Sequence, residues 1–180
     1  MLPTPPGSSL DQAGLEALYT RLEVPVYNVV YRWLWDAQDA REVVQEAFVS
    51  LWRMRARVRM ESVEPLVYKI ALNQAAKRLR WRRTWRWLSL EQGGDERPAQ
   101  GLGADDGLAA QQRQRAVRVA VEALPEALRA VVMLCELSDL SYAQVAEALE
   151  IPEGTVASRR NAAIKSLRRS LGRRYPEDLS

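Results

Sequence analysis

Residues 141–171 read SYAQVAEALEIPEGTVASRRNAAIKSLRRSL, and this stretch decides the fold class. Ser141 and Gln144 stand three apart ahead of an apolar run, the pattern of a capping box in which each side chain satisfies the other's backbone amide. Val145, Ala146 and Leu149 then recur at helical spacing. Residues 150–153 make a tight turn, and a final helix is predicted from about Pro152 or Gly154 to Leu171. A short capped helix, a four-residue turn and a longer basic helix have the spacing of a helix-turn-helix. Ala146 is small where two helices must cross closely, Ile151 plugs the turn, and Val156 and Leu167 face inward. The opposite side offers Ser158, Arg159, Asn161 and Lys165. Ser and Asn can bond base edges, whereas Arg and Lys pair with phosphate or guanine. The plainer reading of the same residues is a helical hairpin with a solvated charged face.

Upstream, Leu128, Val131, Val132 and Cys135 share one helical face, preceded by a break and restart at Leu124-Pro125. Cys135 on that face reads as a small hydrophobe. Helices resume near Leu108. Between residues 91 and 107 the apolar period stops. The segment carries Glu91, Asp95, Glu96, Asp105 and Asp106 against Arg97 alone, with Pro98 and several glycines, and reads as a flexible, solvated acidic linker.

Before the linker lies a second helical unit. Ser9 with Gln12 fits another capping box, and Leu15, Leu18, Tyr19 and Leu22 follow at helical spacing. Pro25 interrupts or kinks that helix, or begins a new one. Val26, Val29, Val30, Trp33 and Leu34 continue the apolar face. Asp36 is the next predicted N-cap. The helix after it turns Val44, Ala47, Phe48, Leu51 and Trp52 inward and shows Glu42, Gln45, Glu46 and Arg53 on its other face. Residues 53–59 are dense in arginine, as a helix end favoured by its dipole would be. Pro65 suits the first turn of a third helix, which becomes intensely basic from Lys77. Lys77, Arg78, Arg80, Arg82, Arg83 and Arg86 occur with no intervening acid, interleaved with Trp81, Trp85 and Trp87. One reading is a solvated helix end whose tryptophans cover the core. The other is a phosphate-tracking surface with rings able to stack on unpaired bases.

The expected fold is therefore all-α: two small helical domains, residues 10–88 and 108–174, joined by a flexible linker at 89–107. Several functions are excluded or disfavoured. The 180 residues include no histidine and one cysteine, so a histidine-based triad, a His/Cys zinc set and an internal disulfide are ruled out. The acids lie in the linker or on helix faces, not in a carboxylate cluster suited to a metal-dependent enzyme. Neither a signal peptide nor a membrane-length apolar run is present, which fits a cytoplasmic protein. No cofactor and no catalysis are expected.

Residues 124–171 resemble domain 4 of extracytoplasmic-function (ECF) sigma factors. The motifs that recur in that order read here Leu124-Pro125, Leu140-Ser141-Tyr142, Val145-Ala146 and Gly154-Thr155-Val156-Ala157-Ser158-Arg159. The run from Asp36 through Gln45-Glu46 and Phe48 to Leu51-Trp52 is similar to the family's domain 2 signature, and Tyr68-Lys69-Ile70-Ala71-Leu72-Asn73 resembles its promoter-reading helix. The chain departs from the family pattern at Leu66, Ala157, Arg160, Ala162 and Ile164. The resemblance implies a sigma factor that binds core RNA polymerase at its clamp coiled coil and flap, recognises the minus-10 and minus-35 promoter elements, and is held, at the membrane in some cases, by an anti-sigma factor. It assigns minus-35 contacts to Thr155, Ala157, Ser158, Arg159, Asn161 and Lys165. It assigns minus-10 contacts to Asn73, Lys77, Arg78, Arg80, Trp81, Arg82 and Arg83, with a base-capturing loop around residues 55–64. Polymerase contacts fall on Asp39, Glu42, Gln45, Glu46 and Val49. The rival expectation is a stand-alone helix-turn-helix regulator that acts without polymerase.

Overall fold

The structure, a computed structural model, describes residues 10–91 and 108–172. All regular structure among them is helical. The first half comprises α1 (Gln12–Leu34), α2 (Ala37–Arg53) and α3 (Val63–Glu91); two single 3₁₀ turns, Arg55–Arg57 and Met60–Ser62, join α2 to α3. The second half comprises α4 (Leu108–Glu122), α5 (Glu126–Leu137), α6 (Tyr142–Leu149) and α7 (Glu153–Gly172).

α1 starts later than its expected cap. Asp11 is the N-cap, its carboxylate accepting from the Gly14 amide at 2.8 Å; Ser9 lies outside the described residues. The helix also runs unbroken through Pro25. A proline inside a helix costs about 3 kcal/mol. Val26, Val29 and Val30 in the turns that follow are fully buried, each gaining about 1.5–3 kcal/mol, so burial outweighs the missing hydrogen bond. α1 ends at Trp35, a bulky residue at φ 53°, where a left-handed conformation costs about 1–2 kcal/mol. Burial of its indole, 4% exposed, and the bond from its amide to the Tyr31 carbonyl at 2.6 Å hold it there.

Asp36 caps α2 as expected, accepting from the Asp39 amide at 2.9 Å. Ala40, Val43, Val44, Ala47, Phe48 and Leu51 form its buried stripe. Pro65 sits in the first turn of α3, where its missing amide is harmless. Among the described residues Ala75 is the last buried one on α3, and the helix continues to Glu91, past the expected domain boundary at residue 88. Of the expected linker, residues 92–107 lie outside the described set.

The two halves share one core. α1, α2 and α3 pack on one another, as do α5, α6 and α7, with α4 against α7. α3 also packs across α6, and α1 against α5. Tyr68, 1% exposed, stands at this junction beside Ser138 and Asp139. Burial pushes its hydroxyl pKa up, with Asp139 and Glu64 acting in the same direction and Ser138 opposing. Lys69 bonds Glu150 at 2.6 Å, and the Arg129 guanidinium, 4% exposed, lies 4.2 Å from the Trp33 ring centre. The contact between the two helical units leaves no trace in the apolar periods, which stop at residue 91.

Candidate nucleic-acid interface

The helix-turn-helix forms as its residues require. Ser141 and Gln144 make both bonds of the capping box, Ser141 N to Gln144 Oε1 at 2.9 Å and Gln144 N to Ser141 Oγ at 3.3 Å. The turn is made by Glu150 at φ 55°, whose amide bonds back to the Ala146 and Glu147 carbonyls. Ile151 packs against the core and Val156 is fully buried, which sets the rotation of α7. Ala163, also fully buried, packs with Leu124 and Val132. Leu167 is half-buried, as its inward assignment requires.

That rotation sorts the expected minus-35 residues. Ser158, Asn161 and Lys165 are exposed, at spacings of three and four, and so form one row. Thr155, Ala157 and Arg159 are half-buried. The Ser158 hydroxyl donates to the Thr155 carbonyl at 3.1 Å, leaving it as an acceptor toward a ligand. Arg168 is exposed three residues beyond Lys165 and extends the row. It was missed in the sequence although its spacing from Lys165 gave the signal. Arg160, one of the departures from the family pattern, bonds Glu136 on α5 at 2.6–2.7 Å and fastens α7 to its neighbour. Cys135 is half-buried beside this pair, and burial raises its thiol pKa.

In the first half, the acids of α2 and the arginines of α3 meet. Asp36, Asp39, Glu42 and Glu46 recur at helical spacing along one side of α2. Arg78 reaches three of them: Asp39 Oδ1 at 3.1 Å, Glu42 Oε2 at 2.8 Å and Glu46 Oε1 at 3.1 Å. Arg82, one turn on, bonds Asp36 at 3.0 Å and also Asp39. Gln74, Lys77 and Trp81 complete the walls of a groove of about 600 Å³ between the helices. The hydrogen bond from Arg78 holds the Glu42 carboxyl below its ordinary pKa. Burial alone would raise that of Asp36, but the Asp39 amide and the Arg82 charge overcome it and leave it lowered.

The basic run therefore has two faces. Arg78 and Arg82 point to α2 and are engaged by its carboxylates. Asn73, Lys77, Arg80 and Trp81 are exposed, Lys77 and Trp81 at the wall of the same groove, and among the described residues neither Lys77 nor Arg80 meets an acid. Trp81 and Trp85 do not cover the core: they are 61% and 51% exposed, with ring centres 5.4 Å apart. The side chains of Arg83, Arg86 and Trp87 lie outside the described set. Of the expected polymerase contacts, Asp39, Glu42 and Glu46 belong to the ion network. Gln45 and Val49 are exposed beside it, Gln45 lining a shallower depression with Tyr19, Val24 and Tyr27. In the arginine-rich loop Val58 is buried as an anchor, and the Arg55 guanidinium lies 4.2 Å from the Trp52 ring centre.

Among the described residues no group of three or more His, Cys, Asp and Glu is placed to hold a metal ion, and no helix is long and apolar enough to cross a membrane. What remains is a helical protein with an exposed polar row on a helix-turn-helix and a second basic, tryptophan-bearing helix. This is the class of a two-part DNA-binding protein.

Comparison with known proteins identifies the class further. Residues 18–86 match sigma-70 region 2 and residues 114–167 match sigma-70 region 4, together more than half of the chain. The ECF RNA polymerase sigma factor SigW of Bacillus subtilis (strain 168) is 28% identical over 159 residues, covering 81% of this chain and 82% of that one. The RNA polymerase sigma-H factor of Pseudomonas aeruginosa is 29% identical over 163 residues, covering 83% and 81%. Among solved structures, the fold is similar to the sigma factor RpoE of Bartonella quintana, determined with the anti-sigma factor NepR, at a TM-score of 0.64 and 19% identity over 87% of this chain and 97% of that one. CnrH, determined with the cytosolic domain of CnrY, gives the same TM-score and identity over 89% of each chain. The chain belongs to the sigma-70 family, as an RNA polymerase sigma factor of the ECF type.

Proposed function

We propose that this sigma factor docks on the clamp of core polymerase through α2, opens and reads the minus-10 element with α3, and holds the minus-35 duplex with α7. The observation that carries this reading is the division of exposed surfaces: carboxylates with Gln45 and Val49 on α2, Asn73, Lys77, Arg80 and Trp81 on α3, and Ser158, Asn161, Lys165 and Arg168 on α7. Asn161 can make two bonds to an adenine edge, whereas Lys165 and Arg168 are flexible cations suited to phosphate. Trp81 offers a ring on which an unpaired base stacks. Residues 10–88 act as domain 2 and 108–174 as domain 4, linked by residues 89–107. The protein is a positioning subunit without catalysis of its own. It works in the cytoplasm, and an anti-sigma factor is its regulator.

The test is run-off transcription with core polymerase on a promoter library. Discrete transcripts that depend on this chain are expected, with weak DNA binding by the chain alone. Gln45→Ala with Glu46→Lys is expected to reduce core capture while leaving the fold intact. Tight binding to a two-fold operator without polymerase, together with unchanged core capture by that variant, would favour the stand-alone regulator instead.

A further inference from the structure

The ion network between α2 and α3 joins residues assigned to two different partners. Arg78 is 22% exposed at its side chain and Arg82 32%. Their guanidiniums are turned to Asp36, Asp39, Glu42 and Glu46, which supply the same chemistry as a row of phosphates: closely spaced anionic oxygens at hydrogen-bond distance. Arg78 commits both of its terminal nitrogens to these carboxylates and Arg82 one of its two, so the charge of each is already paired when DNA arrives. Lys77, at the wall of the same groove, and Arg80, further round the helix, carry no such restraint among the described residues.

We propose that the carboxylate row of α2 acts as an internal stand-in for DNA phosphate, withholding Arg78 and Arg82 from nucleic acid in the free protein. The proposal rests on α2 being the polymerase-docking helix and α3 a DNA-reading helix. On that reading, a cationic surface of the partner competes for the carboxylates, and docking on α2 releases two cations on α3. The two binding events are coupled, and by linkage each favours the other. Glu42 and Glu46, 45% and 52% exposed at their side chains, are the outer members of the row and the first a partner would reach.

The test uses the full chain without polymerase and a mixed-sequence DNA with an unpaired central segment. Affinity is measured from 50 to 200 mM salt for four proteins: wild type, Glu42→Gln with Glu46→Gln, Arg78→Gln with Arg82→Gln, and all four changes together. Neutralising the glutamates removes two of the three acids on Arg78, leaves Arg82 on Asp36 and Asp39, and is expected to steepen the slope of log affinity against log salt by up to about 1. Equivalently, the affinity ratio across this salt range grows by up to about fourfold. In the background lacking both arginines the same neutralisation leaves the slope unchanged. An equal gain in both backgrounds would overturn the proposal, because it would reflect only the loss of negative charge near DNA. No gain in either would overturn it as well. Lys77→Gln with Arg80→Gln reports separately on whether α3 binds DNA at all: a lower slope for that variant keeps the α3 reading intact even if the withholding model fails.

Discussion

Helices α3 and α7 look alike in the sequence: each is long, basic and half buried. In the structure they differ in what lies opposite. Among the described residues α7 has one paired cation in its central part, Arg160, which ties it to Glu136 on α5, while Asn161, Lys165 and Arg168 face outward. α3 faces a carboxylate row, which takes up Arg78 and Arg82 and leaves Lys77 and Arg80. A run of cations thus has no fixed meaning. The helical period divides it into faces, and the element across each face decides which cations are available to DNA.

α3 rests on the junction between the halves, and the largest expected effect comes from removing it. Tyr68→Ala deletes a ring that is 1% exposed and is expected to cost about 3–5 kcal/mol in urea unfolding. A loss under about 1 kcal/mol would mean that α3 is not supported from the second half.

Next in size is base reading by α7. In selection from randomised minus-35 sequences with holoenzyme, Asn161→Ala is expected to change the preference at one or two base pairs, worth about 1–3 kcal/mol of discrimination. Lys165→Ala is expected to weaken all sequences nearly alike. Identical preferred sequences for wild type and Asn161→Ala would reduce α7 to a positioning element and remove its contrast with α3.

How much of this was legible follows from the kind of signal each feature leaves. The helix-turn-helix was readable because its cap, turn and inward residues are local: Ser141, Gln144, Ile151 and Val156 each do in the structure what their spacing required. The α3 assignments were only half readable. Arg78 is 32–39 positions from its three acids, and no local pattern announces a partner so distant. Helical phase alone would have put Arg78 and Arg82 together, one turn apart, away from Lys77 and Arg80. Trp81 and Trp85 resisted assignment for a related reason, since tryptophan is common both in cores and in nucleic-acid surfaces. Arg129, buried against Trp33, left no sequence signal, because nothing on α5 marks one arginine as inward.

A smaller effect sharpens the contrast through pH. Asp36 and Glu42 both have lowered carboxyl pKa values, set in part by Arg82 and Arg78. A carboxyl whose folded pKa lies below its unfolded value adds stability above the unfolded pKa and loses it as pH falls through the folded one. The contributions of Asp36 and Glu42 are therefore intact at neutral pH and lost only below the ordinary carboxylate range, about pH 4. Unfolding measured from pH 7 to pH 2 is expected to show a steeper acid loss for wild type than for Arg78→Gln with Arg82→Gln. Parallel curves would mean that the network contributes nothing to stability.

The most direct test of the two-faced α3 is the salt dependence of DNA binding by the free chain, compared between two pairs of substitutions on that one helix. Lys77→Gln with Arg80→Gln is expected to lower the slope of log affinity against log salt by roughly 1–2, one unit for each lost phosphate contact, whereas Arg78→Gln with Arg82→Gln leaves it unchanged. A drop of the same size for Arg78→Gln with Arg82→Gln would contradict the account, since those two guanidiniums would then already be on the DNA.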